Sequence, residues 1–111
     1  MALLQPIQTQ YGVELNYWKV SITNVDWHNK RLELILAGYY DQASRINGKM
    51  PLEFVTFYFE NNDFFPDINL NLIEQCYQRL HSPVIDYNGN DINPFQGAIE
   101  IFEPGQPVER P

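Results

Sequence analysis

The sequence predicts a mostly antiparallel β domain of the α+β class, a sheet or sandwich packed against one α-helix at about residues 70–80. Three observations carry this. Aromatic residues make up 14% of the 111 residues, and aromatic and β-branched side chains suit pleated surfaces. Two stretches, RLELILAGYY at 31–40 and LEFVTFYFE at 52–60, alternate with the two-residue period of strands. A single later stretch carries the helical period instead.

Taken in order, residues 4–10 form a short first strand, which Pro6 confines to a sheet edge or a strand start because proline cannot donate to a ladder. Tyr11-Gly12 is a turn. From Val13 the chain alternates, with Trp18, Val20 and Ile22 on the face that seeks the core and Leu15, Tyr17, Lys19 and Ser21 on the other. Asp26 to Lys30 supplies turn chemistry with Asn29-Lys30 at its tip, so the next strand returns as an antiparallel hairpin. That strand, Arg31–Tyr40, places Leu32, Leu34 and Leu36 on one face and Ile35, Ala37 and Tyr39 on the other. Apolar on both sides, it belongs in the middle of the sheet.

Residues 41–51 read as a turn segment in which Asn47-Gly48 supplies the positive backbone angle of a tight turn and Pro51 resets the chain into extension. The strand at 52–60 is largely apolar on both faces and is expected inside the sheet. In the helix, Leu70, Leu72, Ile73, Cys76, Tyr77 and Leu80 form the apolar stripe. Asn69 or Asn71 caps it, the latter with Glu74 three residues on, and Pro83 stops it. Val84–Asp86 reads as a short strand, Tyr87–Asp91 as a turn and Ala98–Phe102 as a last strand. The domain therefore runs from 1 to 102, followed by a Pro-rich C-terminal tail at 103–111.

Composition limits what this domain does. The formal net charge of −7 is carried by the second part of the chain: residues 1–50 hold five basic and four acidic side chains, whereas residues 51–111 hold two and ten. The five basic residues are scattered, so no nucleic-acid partner is expected. No segment approaches the roughly 20 apolar residues of a membrane span, and the N-terminus lacks the pattern of a signal peptide. A lone cysteine, Cys76, leaves no internal disulfide to form and suits a reducing compartment.

No catalytic residue, cofactor site or metal site is assigned. Asp86, Asn88, Asn90 and Asp91 imitate a calcium loop, but the sixth and twelfth positions of that loop need Gly and Glu and are here Asp91 and Gly97, so the stretch reads as a turn. His28 and His81 lack paired ligand spacing. Aromatics are the remaining signal, being more numerous than one small core can hide. Trp27, Phe64, Phe65 and Tyr87 are the candidate interaction surface, since Trp and Tyr anchor protein interfaces and stack on sugars.

The segment Tyr11-Gly12-Val13-Glu14-Leu15-Asn16-Tyr17-Trp18-Lys19-Val20, followed by Gly38-Tyr39-Tyr40, resembles small proteins encoded in the tail and baseplate gene region of siphophages that infect Gram-positive bacteria, Bacillus siphophages among them. The resemblance implies a fold similar to the shoulder domain of lactococcal phage receptor-binding proteins. It implies no enzyme, but a structural, adaptor or attachment module of the tail tip with other phage tail proteins as partners. Such a protein is made in the host cytoplasm and carried in the virion tail. Two other roles stay open: a carbohydrate-binding module for host cell-wall polymer, and an assembly or host-directed accessory protein that stays outside the particle.

Overall fold

The computed structural model describes residues 2–9, 12–60, 64–86 and 88–101. The expected strand at Ala98–Phe102 is described as far as Ile101, and the tail at 103–111 lies outside the described residues. Five strands, β1 (Ala2–Gln8), β2 (Glu14–Asp26), β3 (Arg31–Tyr39), β4 (Glu53–Glu60) and β5 (Ile99–Ile101), form one sheet. Their order is β4-β3-β2-β1-β5, with antiparallel neighbours throughout. Two helices interrupt them, α1 (Gln42–Ile46) before β4 and α2 (Leu72–Arg79) before β5. Among the described residues there is a single sheet under α2, not a two-sheet sandwich.

The β2–β3 hairpin is the hub of this sheet, and Asp26 shapes its turn. One carboxylate oxygen accepts from the N–H groups of His28 and Asn29, both at 3.1 Å, and the other accepts from the Asn29 amide at 2.8 Å. Lys30 then takes a φ of +56°, a left-handed turn that reverses the chain. As expected, β3 is interior, with β2 on one side and β4 on the other.

One face of the sheet holds the main core. Leu3, Trp18, Leu32, Leu34, Leu36, Phe57 and Phe59 are buried there beneath Cys76, Tyr77 and Leu80 of the α2 segment and Val84, Phe95 and Ala98 of the following chain. Burying each large side chain of this kind is worth roughly 1.5–3 kcal/mol, which is why an eight-residue helix too short to persist alone is stable here. Asn71 is its cap, the side chain accepting from the Glu74 N–H at 2.9 Å. The stripe is narrower than expected: Leu70 and Ile73 are exposed, because the helix starts only at Leu72 and the sheet receives the Leu72-Cys76-Tyr77-Leu80 side.

Several expectations need correction. β2 does not keep its alternation: its pairing with β3 shifts between Val20 and Ile22, and one extra residue turns all later side chains to the opposite face. Ile22 is therefore exposed on the outer face while Val25 packs on the core. The Val20 N–H donates instead to the Tyr77 hydroxyl at 2.9 Å, fixing the bulge against α2. β4 is an edge strand rather than an interior one; its even-numbered residues Phe54, Thr56 and Tyr58 face solvent. β1 lies inside the sheet, since β5 pairs with Ala2–Leu4. Pro6 sits beyond that pairing, where β1 shifts register between Leu4 and Ile7, so its missing N–H costs no ladder bond. The 41–51 segment contains α1, which Asp41 caps by accepting from the Ser44 N–H. Val84–Asp86 contributes only an isolated bridge, Ile85 with Asp91.

Candidate docking surface

The outer face of the sheet divides into a covered end and an open end. At the covered end Tyr17 and Tyr39 meet edge to face at 6.2 Å beside Ala2, Leu4 and Ile101. The Arg45 guanidinium of α1 lies 5.9 Å above the Tyr39 ring. Towards the β2–β3 turn nothing among the described residues covers the sheet. There the registers align Ile22, Ile35 and Thr56 in one row, then Asn24, Glu33 and Tyr58, and finally Asp26, Arg31 and Glu60; the row of Lys19, Ala37 and Phe54, in which Ala37 is buried, borders the covered end.

These rows form a surface that is apolar in its middle and polar at its rim. Ile22, Phe54 and Tyr58 are all exposed, Tyr58 to 72%. In the polar rows the Asn24 amide donates to Glu33 at 2.7 Å, and a hydrogen bond to Glu33, reinforced by its negative charge, pushes the Tyr58 phenol above its usual range. An open cleft of about 700 Å³ lies over Asn24, Asp26, Arg31, Glu33, Tyr58 and Glu60.

Of the four residues expected to interact, the fold brings two together. Trp27, 43% exposed at the hairpin tip, meets Phe65 edge to face at 5.2 Å, and the Lys30 ammonium lies 5.1 Å over the Phe65 ring. This contact joins the β2–β3 turn to the chain leaving β4, whose residues are distant in sequence. Phe64 turns inward instead: its ring meets Phe59 at 5.5 Å and packs on the core. Tyr87 lies outside the described residues. The Ile22-Phe54-Tyr58 surface is not legible in the sequence as a surface; its signal is the run of apolar side chains at even positions of β4, which reads equally as a second buried face.

The Asp86 and Asp91 carboxylates and the His81 side chain at the α2 end are engaged structurally. Asp86 accepts from the N–H groups of Asn88 and Asn90, both at 2.9 Å, and Gly89 has a φ of +80°. Asp91 accepts from the N–H groups of Val84 and Asn93 and from the Gln96 amide. The segment that imitates a calcium loop is thus a pair of carboxylate-centred turns. His81 Nε2 lies 2.7 Å from Glu100 Oε2, tying the end of α2 to β5. Cys76 is buried, and burial pushes its thiol up to about 11. Among the described residues no group of three or more His, Cys, Asp or Glu side chains is placed to hold a metal ion, and no helix is long and apolar enough to cross a membrane.

The Asp26 and Asp91 turns and the Asp41 cap of α1 predict an acid-sensitive fold. A side-chain hydrogen bond from Asn29 lowers the Asp26 carboxyl, and backbone N–H groups of Ser44 and Asn93 lower those of Asp41 and Asp91. A carboxylate with a depressed folded-state pKa contributes stability that is present above its unfolded value, about 3.9, and is lost as pH falls through the folded value. Thermal midpoints should hold steady from neutrality to about pH 4 and fall below it. A midpoint still unchanged at pH 2 would contradict these turn assignments.

No family model, no curated protein and no solved structure matches this chain.

Proposed function

We propose that this chain is a non-enzymatic docking module of a siphophage tail tip, holding another tail protein against its open sheet face and hairpin tip. The observation that carries the reading is the Trp27–Phe65 pair, an exposed indole braced by a second ring that has a lysine over it. The open outer face adds a second exposed apolar surface, Ile22, Phe54 and Tyr58. Rigid aromatic anchors surrounded by polar groups are the composition of interface hot spots. The tail-tip setting comes from the resemblance of residues 11–20 and 38–40 to proteins of that gene region.

Quantitative mass spectrometry of purified particles tests the setting. A fixed small copy number per particle supports a tail component; absence from the particle moves the role to assembly or to the host. The surface is tested by replacing Trp27 and Phe65 together with Ala. Loss of hot-spot anchors of about 2 kcal/mol or more weakens binding roughly 30-fold, so incorporation into particles should collapse while the isolated variant stays folded. Normal incorporation of the double variant would remove the aromatic pair from the interface.

A second reading, binding of host cell-wall polymer, has its own support in the cleft over Asn24, Glu33 and Arg31. There, hydrogen-bonding side chains lie beside the exposed Tyr58 ring, the pairing of polar groups with an aromatic face that sugars require. Quenching of tryptophan fluorescence by purified wall polymer distinguishes the two: saturable quenching favours the sugar, and a flat titration favours the protein partner.

A further inference from the structure

The two edges of the sheet are built differently. β5 contributes three edge residues among the described ones, whereas β4 presents eight residues without a proline, a lysine or any register shift against β3. Natural edge strands of that length are normally blunted by such devices. The only charges on β4 are Glu53 and Glu60 at its two ends.

Backbone contacts show which residues face outward. The Phe54 N–H donates to the Glu53 side chain at 3.2 Å, and the Glu60 carbonyl accepts from the Phe64 N–H at 3.1 Å; both groups therefore point away from β3. Because N–H and C=O directions alternate along a strand, Thr56 and Tyr58 point outward with them. Beside this edge runs a groove of about 500 Å³ between β4 and the 84–92 segment, where Ile85 and Ile92 are exposed. Val84, Ile85 and Ile92 give the groove an apolar side for one added strand, and Glu60 and Asp86 also line it.

We propose that this edge pairs with β4 of a second copy of the chain, antiparallel about a two-fold axis at Thr56. Opposed residues in an antiparallel pair must share a face, which restricts the register to those in which even positions meet even positions. Pairing Thr56 with its counterpart sets Phe54 against the second copy's Tyr58, so the large exposed rings of β4 cover each other. Aromatic cross-strand pairs of this kind are favourable. Glu53 and Glu60 then oppose Phe59 and Leu52 rather than each other, and no like charges meet. The neighbouring register, with Thr56 against Tyr58, directs Phe54 to Glu60, whose carbonyl already closes the edge by accepting from Phe64. Two sheets joined in this way become continuous, and the two open outer faces lie side by side. A repeated docking surface of that kind suits a symmetric assembly.

The test uses the full chain. Light scattering coupled to size-exclusion chromatography should give twice 13.0 kDa at high protein concentration, with a shift towards one chain on dilution. The register is read by Thr56→Cys, whose introduced thiols face each other across the axis at a Cα separation of about 5.5 Å, within disulfide range. Oxidation should convert most of Thr56→Cys to a covalent dimer. Tyr58→Cys, opposed to Phe54, should cross-link at least tenfold more slowly, and the parent chain, with Cys76 buried, should not cross-link. Thr56→Lys, an exposed substitution that sets two ammonium groups opposite each other, should be folded by circular dichroism and monomeric. A parent chain monomeric at all concentrations, as expected if β4 instead recruits a strand of a different protein, overturns the proposal. A dimer in which Thr56→Cys cross-links no faster than Tyr58→Cys also overturns it.

Discussion

Replacing Gly38 by Ala should remove about 3 kcal/mol of stability, an overpacking effect at the upper end of the usual range. Gly38 is the β3 residue directly opposite Trp18 of β2. The indole lies across it so closely that an added Cβ would stand 2.5 Å from Cζ3 and 2.6 Å from Cη2 of the ring. The ring has no room to withdraw: Trp18 is fully buried, its Nε1 donates to the Leu15 carbonyl at 3.2 Å, and Phe95 meets it edge to face at 5.4 Å. A glycine inside a strand costs about 0.5–1 kcal/mol in chain entropy relative to Ala, so the close approach outweighs that cost. Urea denaturation should show a lower midpoint for Gly38→Ala with an unchanged slope, the sign of a stability change without a change in compactness. In a Trp18→Phe background the smaller ring leaves space for the methyl group. There Gly38→Ala should cost under about 1 kcal/mol, a coupling of at least 2 kcal/mol between the two positions. Additive effects would mean that the indole does not rest on Gly38.

The same contact explains what the sequence made legible. Within the two stretches on which the expected resemblance rests, residues 11–20 and 38–40, Tyr17 opposes Tyr39 and Trp18 opposes Gly38. The motif is thus a packing unit of the β2–β3 hairpin, and it speaks to the fold more directly than to a binding site. Period-two alternation located β3 and β4, and the cap at Asn71 together with helical spacing located α2, because those signals are local. What alternation could not reveal was long-range pairing. β4 and β3 look alike in sequence, both apolar at odd and even positions, yet only β3 acquires a strand on either side. The excess apolar residues of β4, Phe54 and Tyr58, become surface. The bulge after Val20 has no residue signature of its own; it is held by the Tyr77 hydroxyl, fifty-seven positions away. Trp27 and Phe65 were legible as aromatics beside turns, but their pairing with Lys30 depends on where the chain travels after β4.

Asn93 is the second position where one substitution should have a large effect, and here the two natural replacements separate in their response to pH. Its buried amide donates to the carbonyls of Leu80 and Ser82, each at 2.8 Å, while its side-chain oxygen accepts from the Phe95 N–H at 2.9 Å. Leu80 is the C-cap of α2, so one side chain closes the helix end and positions Phe95, the ring wedged against Trp18 and Phe57. Asn93→Ala removes the partner of the Leu80 carbonyl and of the Phe95 N–H, while the Ser82 carbonyl still accepts from the Arg79 guanidinium at 3.3 Å. At about 1–3 kcal/mol for each group that water cannot reach, a total loss of about 3 kcal/mol is expected after relaxation. Asn93→Asp keeps the acceptor for Phe95 but turns a second oxygen towards two carbonyls. Ionised, that carboxylate is repelled and poorly solvated, so its folded-state pKa lies above the unfolded value of about 3.9. By linkage, the variant should match the parent most closely below about pH 4, where the protonated acid can donate to one carbonyl, and lose ground as pH rises through the folded pKa. The parent chain changes in the opposite sense, because its Asp26, Asp41 and Asp91 turns weaken in acid. The stability gap between parent and Asn93→Asp should therefore widen from pH 4 to pH 7; a gap that is constant across that range would show that the introduced carboxylate has reached solvent and that the 80–95 connection is looser than this hydrogen-bond network requires.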